Sequence, residues 1–84
     1  MITWNERRTG NVWDAYAGPV HMELWLYTRA GHSVWGIVVE KAQLNDELTF
    51  DAAKESALRY ALAELDCIIE QCQDAKREIE EMGL

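Results

Sequence analysis

Four short apolar and aromatic runs, separated by residues that favour turns, occupy the first half of the chain. The runs are 2–8, 12–17, 20–28 and 33–40, and the turns between them contain Gly10, Gly18-Pro19 and Gly31. Runs of this length, rich in Val, Ile, Trp and Tyr and bounded by Gly and Pro, are typical of β-strands. Because the connections are short, we expect the strands to be antiparallel and to follow one another as a meander.

The third run has the clearest alternation and predicts two different faces of the sheet. Successive residues of a strand point to opposite sides. The side suited to a core is apolar: Val20, Met22, Leu24 and Leu26. The opposite side is aromatic and polar: His21, Glu23, Trp25 and Tyr27.

A long helix is predicted after the strands. Thr49 is placed to cap it by accepting a hydrogen bond, and Asp51 lies in the first turn, where the helix dipole favours negative charge. No Gly or Pro occurs between Phe50 and Met82, and good helix formers dominate this stretch. Gly83 is the candidate C-terminal cap.

The predicted fold class is α+β, in one domain that spans residues 1–84. Residues 1–40 form a four-stranded antiparallel meander, 41–48 a polar loop, and 49–82 an acidic helix packed on one face of the sheet. Such a helix is about 50 Å long, whereas an eight-residue strand spans about 26 Å. The helix therefore either kinks near 71–73 and folds back, or projects beyond the sheet.

The apolar stripe of the helix narrows after Leu65 and takes the spacing of a coiled-coil seam. Its members recur at intervals of three and four residues: Leu65, Ile68, Cys72, Ala75, Ile79 and Met82. A stripe of this kind packs against another helix, and a homodimer is the simplest arrangement. A small domain also buries a modest fraction of its surface, so self-association is a plausible source of stability. The alternative is that a kinked helix folds back on its own chain.

Charge is divided unevenly along the chain. Residues 1–44 carry four acidic and four basic residues, whereas 45–84 carry eleven acidic and four basic residues, so the net charge of −7 lies in the second half. This charge disfavours direct binding to nucleic acid or to an anionic membrane and favours a basic partner. No apolar stretch is long enough to span a membrane, and the sequence shows no export signal. Free cysteines in such a chain predict a cytoplasmic protein.

Acidic residues follow one another closely along the predicted helix. The candidates for a partner-binding acidic face are Glu64, Asp66, Glu70, Asp74 and Glu78. Side chains four positions apart on a helix are neighbours at about 5–6 Å. A line of carboxylates at this spacing suits a basic groove, including one built for nucleic-acid phosphates. The alternative is an ordinary solvated helix face, and Lys76 and Arg77 interrupt the line.

Trp25 and Tyr27 are the candidates for an aromatic binding patch on the sheet face away from the helix. The residues that would extend it are Trp4, Tyr16, Val34 and Val38. A small protein rarely exposes such a patch without a use, and Trp and Tyr are frequent hot-spot residues of interfaces. The alternative is that N-terminal residues or a second copy cover the patch as ordinary core.

The sequence predicts a protein that is not an enzyme and has no metal or cofactor site. His21 and His32 have no Cys, Asp or second His at ligand spacing, and Cys67 and Cys72 lack the C-x-x-C spacing. These two cysteines, five positions apart in a helix, also point away from each other and cannot form a disulfide.

Residues 2–62 contain a series of short motifs: Thr3-Trp4, Gly10, Trp13-Asp14-Ala15, Gly18-Pro19-Val20, Trp35-Gly36-Ile37-Val38-Val39 and Phe50-Asp51-Ala52-Ala53-Lys54 followed by Ala57. These motifs resemble those of small Trp-rich phage and prophage proteins, in which an antiparallel sheet precedes an Ala-Ala-Lys helix. The acidic extension after Leu62 departs from the pattern. The resemblance implies a phage origin. Some small acidic proteins of similar size and mobile origin are anti-CRISPR proteins, which are cytoplasmic, non-enzymatic and bind a Cas protein.

The function expected from this resemblance is inhibition of a host CRISPR–Cas complex in the cytoplasm of an infected bacterium. The acidic face would steer the protein to a basic nucleic-acid-binding or nuclease-recruitment surface, and Trp25 and Tyr27 would hold it there. The alternative is a homodimeric phage structural or accessory protein whose long helix serves self-association through Leu65, Ile68, Cys72 and Ile79.

Overall fold

The computed structural model describes residues 2–83, which form an antiparallel sheet followed by one long helix. The strands are β1 (Asn5–Arg8), β2 (Val12–Ala17), β3 (Val20–Arg29), β4 (His32–Val39) and β5 (Ala42–Gln43), and the helix is α1 (Phe50–Glu81). The strands lie side by side in chain order, and each pairs antiparallel with the next. The prediction of an α+β fold with an antiparallel sheet and a long C-terminal helix is therefore confirmed.

The sheet has five strands, so the prediction of four is wrong. The stretch predicted as a loop, 41–48, contains β5 and also an isolated bridge in which Glu47 pairs with Trp35. The turn before β5 contains Glu40 with a φ of 56°, a left-handed conformation that glycine would adopt more easily. Because no Gly marks this turn, the sequence gives no signal for it. The first strand also begins at Asn5 rather than at residue 2.

One hydrophobic core contains residues of both the sheet and the helix. Its buried members are Ala15, Ala17, Val20, Met22, Leu24, Ile37, Val39, Ala53, Ala57 and Ala61. The helix contributes only alanines to this set, and their small side chains allow its backbone to approach the larger side chains of the strands. At the start of α1, Phe50 contacts Trp13 and Trp35, with ring centroids 5.2 and 4.8 Å from its own.

The ends of α1 agree with the signals in the sequence. Thr49 is the N-cap, and its Oγ1 accepts a hydrogen bond from the backbone N–H of Ala52 at 3.1 Å. Asp51 lies in the first turn. After the helix ends, Gly83 adopts a φ of 84°, as expected for the glycine that follows a helix.

The helix continues past the sheet without interruption. At 32 residues it is about 48 Å long, and the described chain measures 61 × 22 × 17 Å. Leu65 and Ile68 are half-buried against the core, whereas every described residue from Ile69 onward is exposed. The helix therefore does not kink near 71–73. Its C-terminal part projects beyond the sheet, which is the second of the two predicted alternatives. We call residues 69–82 the overhang.

Candidate functional site

The face of the sheet opposite to the core, which we call the outer face, carries the predicted aromatic patch. Cross-strand pairing assigns to it Val12, Asp14 and Tyr16 of β2, His21, Glu23, Trp25 and Tyr27 of β3, and Val34, Gly36 and Val38 of β4. The predicted alternation of β3 is confirmed for Val20, Met22 and Leu24, which are fully buried in the core, whereas Leu26 is only half-buried. Trp25 and Tyr27 are half-buried on the outer face.

Trp25 lies flat across the backbone of the neighbouring strand. Its indole covers Gly36 so closely that a Cβ atom at this position would lie 2.3 Å from the ring atoms Cε2 and Cζ2. The indole also stacks with Tyr27, with ring centroids 6.3 Å apart and planes inclined by 25°. The two rings therefore form one stacked pair whose position depends on the absence of a side chain at Gly36.

Tyr27 is fixed at its hydroxyl end by the segment between β5 and α1. The hydroxyl donates a hydrogen bond to Asp46, and Arg29 Nη1 donates to the same carboxylate oxygen at 2.9 Å. The bond to Asp46 raises the pKa of Tyr27 above its usual value and, from the other side, lowers the pKa of Asp46. The phenol thus stays protonated and acts as a donor that holds the ring in place.

A buried carboxylate lies on the same face, on β2, where Asp14 pairs with Glu23 of β3. Asp14 is 3% exposed. It accepts two hydrogen bonds from Arg7, Nε to Oδ1 at 3.0 Å and Nη2 to Oδ2 at 2.9 Å, and His21 Nε2 lies 3.0 Å from Oδ2. The paired Arg7 guanidinium is the main reason that the pKa of Asp14 is lowered, and it outweighs the opposing effect of burial. The imidazole of His21 in turn contacts the ring of Tyr16, at 4.7 Å between centroids.

Both carboxylate oxygens of Asp14 already have partners, and its pKa is lowered. The carboxylate is therefore poorly suited to accept a proton from a substrate, and the contacts serve to position side chains. The pattern of residues along the chain did not predict this cluster. One signal was present, since Asp14 is an acid in the middle of an otherwise apolar strand. The partners depend on register, which includes an irregularity between Glu6 and Arg8 in the pairing of β1 with β2.

The other residues proposed to extend the aromatic patch have different positions. Val38 is half-buried and Val34 is buried on the outer face, while Tyr16 is 58% exposed. Trp4 was expected on this face, but it packs against the core, so that expectation is wrong. Trp4 lines a groove of about 440 Å³ whose other lining residues all come from α1: Asp51, Lys54, Glu55, Leu58, Arg59 and Leu62.

The structure divides the predicted acidic face into two parts. Glu64 is half-buried and lines a groove beside the β4–β5 turn with Val39, Glu40, Lys41 and Ala42. The other four, Asp66, Glu70, Asp74 and Glu78, are exposed and follow one another at intervals of four residues. Only Asp74 has a cation close by, Arg77 at 3.5 Å, among the salt bridges of the described residues. The row from Asp66 to Glu78 is therefore largely free to meet a partner.

The predicted dimer seam is divided in the same way. Leu65 and Ile68 are half-buried and pack against the chain's own core. Cys72 and Ile79 lie on the overhang, where Cys72 is an exposed free thiol and Ile79 is 52% exposed. Met82, the last residue of the apolar stripe, and Ile69 beside the stripe are also exposed, at 70% and 53%. The unpartnered part of the seam thus begins where the sheet ends.

Within residues 2–83, no group of three or more His, Cys, Asp or Glu side chains is arranged to hold a metal ion. No helix in the described part of the chain is both long and apolar enough to span a membrane. A comparison of the chain with protein-family models, curated proteins and solved structures finds no match. The function therefore has to be argued from these surfaces.

Proposed function

We propose that this chain is a non-enzymatic inhibitor that covers a basic surface of a larger protein or ribonucleoprotein complex. The overhang is the observation that supports the proposal most. It extends about 20 Å beyond Ile68, its described residues are all exposed, and its carboxylates, Glu70, Asp74, Glu78, Glu80 and Glu81, outnumber its two cations, Lys76 and Arg77.

The charge of the overhang works against its own helical structure, and a cationic partner would relieve this. The last turn contains no basic residue, while Glu78, Glu80 and Glu81 lie at the end where the helix dipole is already negative. Like charges four positions apart, such as Glu70 and Asp74, destabilise a helix further. A helical segment of this length without tertiary contacts is marginal in water. Contact with a basic surface would offset the repulsion between these charges and give the segment the tertiary contacts that it lacks.

The two candidate surfaces have complementary roles in this proposal. The exposed row from Asp66 to Glu78 accelerates association by electrostatic steering. Trp25 and Tyr27, held by Gly36 and Asp46, provide a rigid aromatic contact that slows dissociation. In this arrangement the helix packs on one face of the sheet and leaves the outer face to the partner.

The partner proposed is a host CRISPR–Cas complex in the cytoplasm of a phage-infected bacterium. This part of the proposal rests on the resemblance of residues 2–62 to small Trp-rich phage proteins. A complex of this class contains basic channels for nucleic acid, which fit a row of carboxylates. The inhibitor would either occupy such a channel or block the surface that recruits a nuclease.

The experiment adds the purified chain to representative CRISPR–Cas effector complexes before the target DNA, and measures DNA binding and cleavage. We expect inhibition of at least one complex, and weaker inhibition at higher salt. Glu70→Lys combined with Asp74→Lys should weaken binding at least tenfold, equivalent to about 1.4 kcal/mol. The fold should survive, because both side chains are exposed.

A matched control separates the position of the charge from its total. Glu6→Lys combined with Glu55→Lys changes the net charge by the same amount at exposed positions away from the overhang. This control should bind nearly as well as the wild type. Equal affinity of the overhang variant and the wild type would remove the acidic row from the mechanism, and no effect on any complex would refute the proposed function.

A further inference from the structure

The side of α1 that is buried against the sheet continues as an apolar stripe along the overhang. Ala75 and Ile79 follow Ala57 and Ala61 by eighteen residues, and eighteen residues complete five turns of an α-helix. They therefore point in the same direction as two alanines of the core, but beyond the end of the sheet, where both are exposed. We infer that a second copy of this chain covers this stripe, with the two overhangs packed antiparallel.

The spacing of the seam is the same in both directions along the chain. Its residues, Leu65, Ile68, Cys72, Ala75, Ile79 and Met82, are separated by intervals of three, four, three, four and three. Two antiparallel copies related by a two-fold axis between Gln73 and Asp74 would therefore match apolar residues throughout. The matched positions are Leu65 with Met82, Ile68 with Ile79, and Cys72 with Ala75. A self-complementary patch of this kind is what a two-fold dimer requires.

The position of the sheet selects the antiparallel arrangement over the parallel one. In a parallel pair, residues 50–64 of the second copy would have to face the side of α1 that carries Ala53, Ala57 and Ala61. That space is filled by the chain's own sheet, since these alanines belong to the common core. In an antiparallel pair, the overhang of the second copy lies beyond the end of the sheet, and the two sheets lie at opposite ends of the helix pair.

The end of the sheet offers the second copy an apolar contact. Leu65 is half-buried there, and a Cβ atom on Gly18, in the β2–β3 turn, would lie 3.9 Å from Leu65 Cδ2. Met82 of the second copy would reach this point, because it is matched with Leu65. The most exposed apolar residue of the overhang, Met82 at 70%, would thus be covered.

The charged residues of the overhang are compatible with this seam. When the seam residues take heptad positions a and d, the acids Asp66, Glu70, Asp74, Glu80 and Glu81 fall at b, c and f, which point outward. Positions e and g flank the seam. At position e, Ile69 lies beside Lys76 of the second copy, and at position g, Gln71 lies beside Glu78 of the second copy. An aliphatic Lys stem covers apolar surface, and an amide donates to a carboxylate, so neither pairing is repulsive. Three members of the acidic row, Asp66, Glu70 and Asp74, stay on the outside, available to a basic partner, whereas Glu78 flanks the seam.

The oligomeric state can be measured by sedimentation equilibrium or light scattering from low to high micromolar concentration. We expect a concentration-dependent dimer of the wild type. Ile79→Glu should weaken dimerisation at least tenfold, because it places a carboxylate in the seam. Leu48→Glu is the control, since Leu48 is exposed at 76% and precedes the helix, away from the seam and its flanking positions. Far-UV circular dichroism of each variant verifies that the helix is intact.

Cysteine cross-linking tests the direction of the helices with smaller substitutions. One protein carries Cys67→Ser and keeps Cys72. A second carries Cys67→Ser, Cys72→Ser and Ala75→Cys. The two proteins are mixed and mildly oxidised, and each is also oxidised alone. The antiparallel register matches position 72 with position 75 of the other copy, so it predicts a disulfide-linked dimer in the mixture and little in either protein alone, since a disulfide needs Cα atoms within about 7 Å.

A wild type that is monomeric at high micromolar concentration would overturn the inference. So would cross-linking of the Cys72 protein with itself, which is the parallel pattern, or equal disruption by Leu48→Glu and Ile79→Glu. The result is independent of the proposed function. A monomer that still inhibits its target would refute only the dimer, and a dimer that inhibits nothing would refute only the inhibitor.

Discussion

Gly36→Ala tests how the aromatic pair is held on the outer face. The added methyl group would lie 2.3 Å from Trp25 Cε2 and Cζ2 and 2.8 Å from Nε1. Non-bonded carbon atoms stay about 3.5–4.0 Å apart, so the indole must move by about 1 Å or more. The φ of Gly36 lies outside the left-handed region, so alanine itself fits the backbone. The clash with Trp25 is then the reason to expect destabilisation.

The size of the effect follows from two opposing terms. Overpacking of this kind costs about 1–3 kcal/mol. Replacing Gly by Ala in a strand returns about 0.5–1 kcal/mol, because alanine loses less backbone freedom on folding. We therefore expect Gly36→Ala to lower the free energy of unfolding by about 1 kcal/mol, and by at most about 2.5 kcal/mol. In a domain of this size each kcal/mol corresponds to about 4–8 °C in Tm.

A double-mutant cycle with Trp25→Ala assigns the effect to the indole. In the Trp25→Ala background, Gly36→Ala should be neutral or stabilising by up to about 1 kcal/mol, which gives a coupling energy of about 1–3 kcal/mol. Denaturant unfolding of the four proteins, followed by far-UV circular dichroism, measures each value. If Gly36→Ala lowers the free energy of unfolding equally in the wild type and in the Trp25→Ala variant, the indole of Trp25 does not cover Gly36 and the aromatic pair is not held in this way.

Two further predictions concern stability. Thr49→Ala should lower the free energy of unfolding by about 1 kcal/mol in denaturant titrations, because it removes the acceptor of the Ala52 N–H, whereas Thr49→Ser should retain most of the stability. Asp14→Asn should destabilise the protein at neutral pH, because the paired Arg7 holds the folded-state pKa of Asp14 below its unfolded value of about 3.9. A group with a lowered pKa stabilises the fold above its unfolded pKa, and this contribution is lost as the pH falls through the folded pKa. The difference in Tm between wild type and Asp14→Asn should therefore be largest at neutral pH and shrink below about pH 4, and a pH-independent difference would exclude an ionised Asp14 as its source.

Features that depend on neighbours in sequence could be predicted well. The alternation of Val20, Met22 and Leu24 predicted the core side of β3, because side-chain direction in a strand has a period of two. Thr49 predicted the start of α1, because a cap acts within one turn. The fold class follows from such local signals.

Features that depend on contacts between distant residues could not be predicted. The turn before β5 places Glu40 at positive φ, which tertiary pairing tolerates and local preference does not indicate. The grouping of Arg7 and His21 around Asp14 depends on strand register, and the contact of Trp25 with Gly36 depends on an indole lying across a neighbouring strand. Trp4 is an aromatic residue of the type expected in a binding patch, but it packs against the core.

The sequence by itself determined that α1 is longer than its sheet, that its net charge is strongly negative, and that its apolar stripe narrows after Leu65. These properties follow from composition and helical periodicity. Only the tertiary structure decided that the helix runs straight, that Ile68 is its last half-buried residue, and that Glu64 lies apart from the exposed row. The physical reason is that periodicity fixes the direction in which each side chain points, whereas the place where the sheet ends beneath the helix fixes which of those side chains are left without a partner.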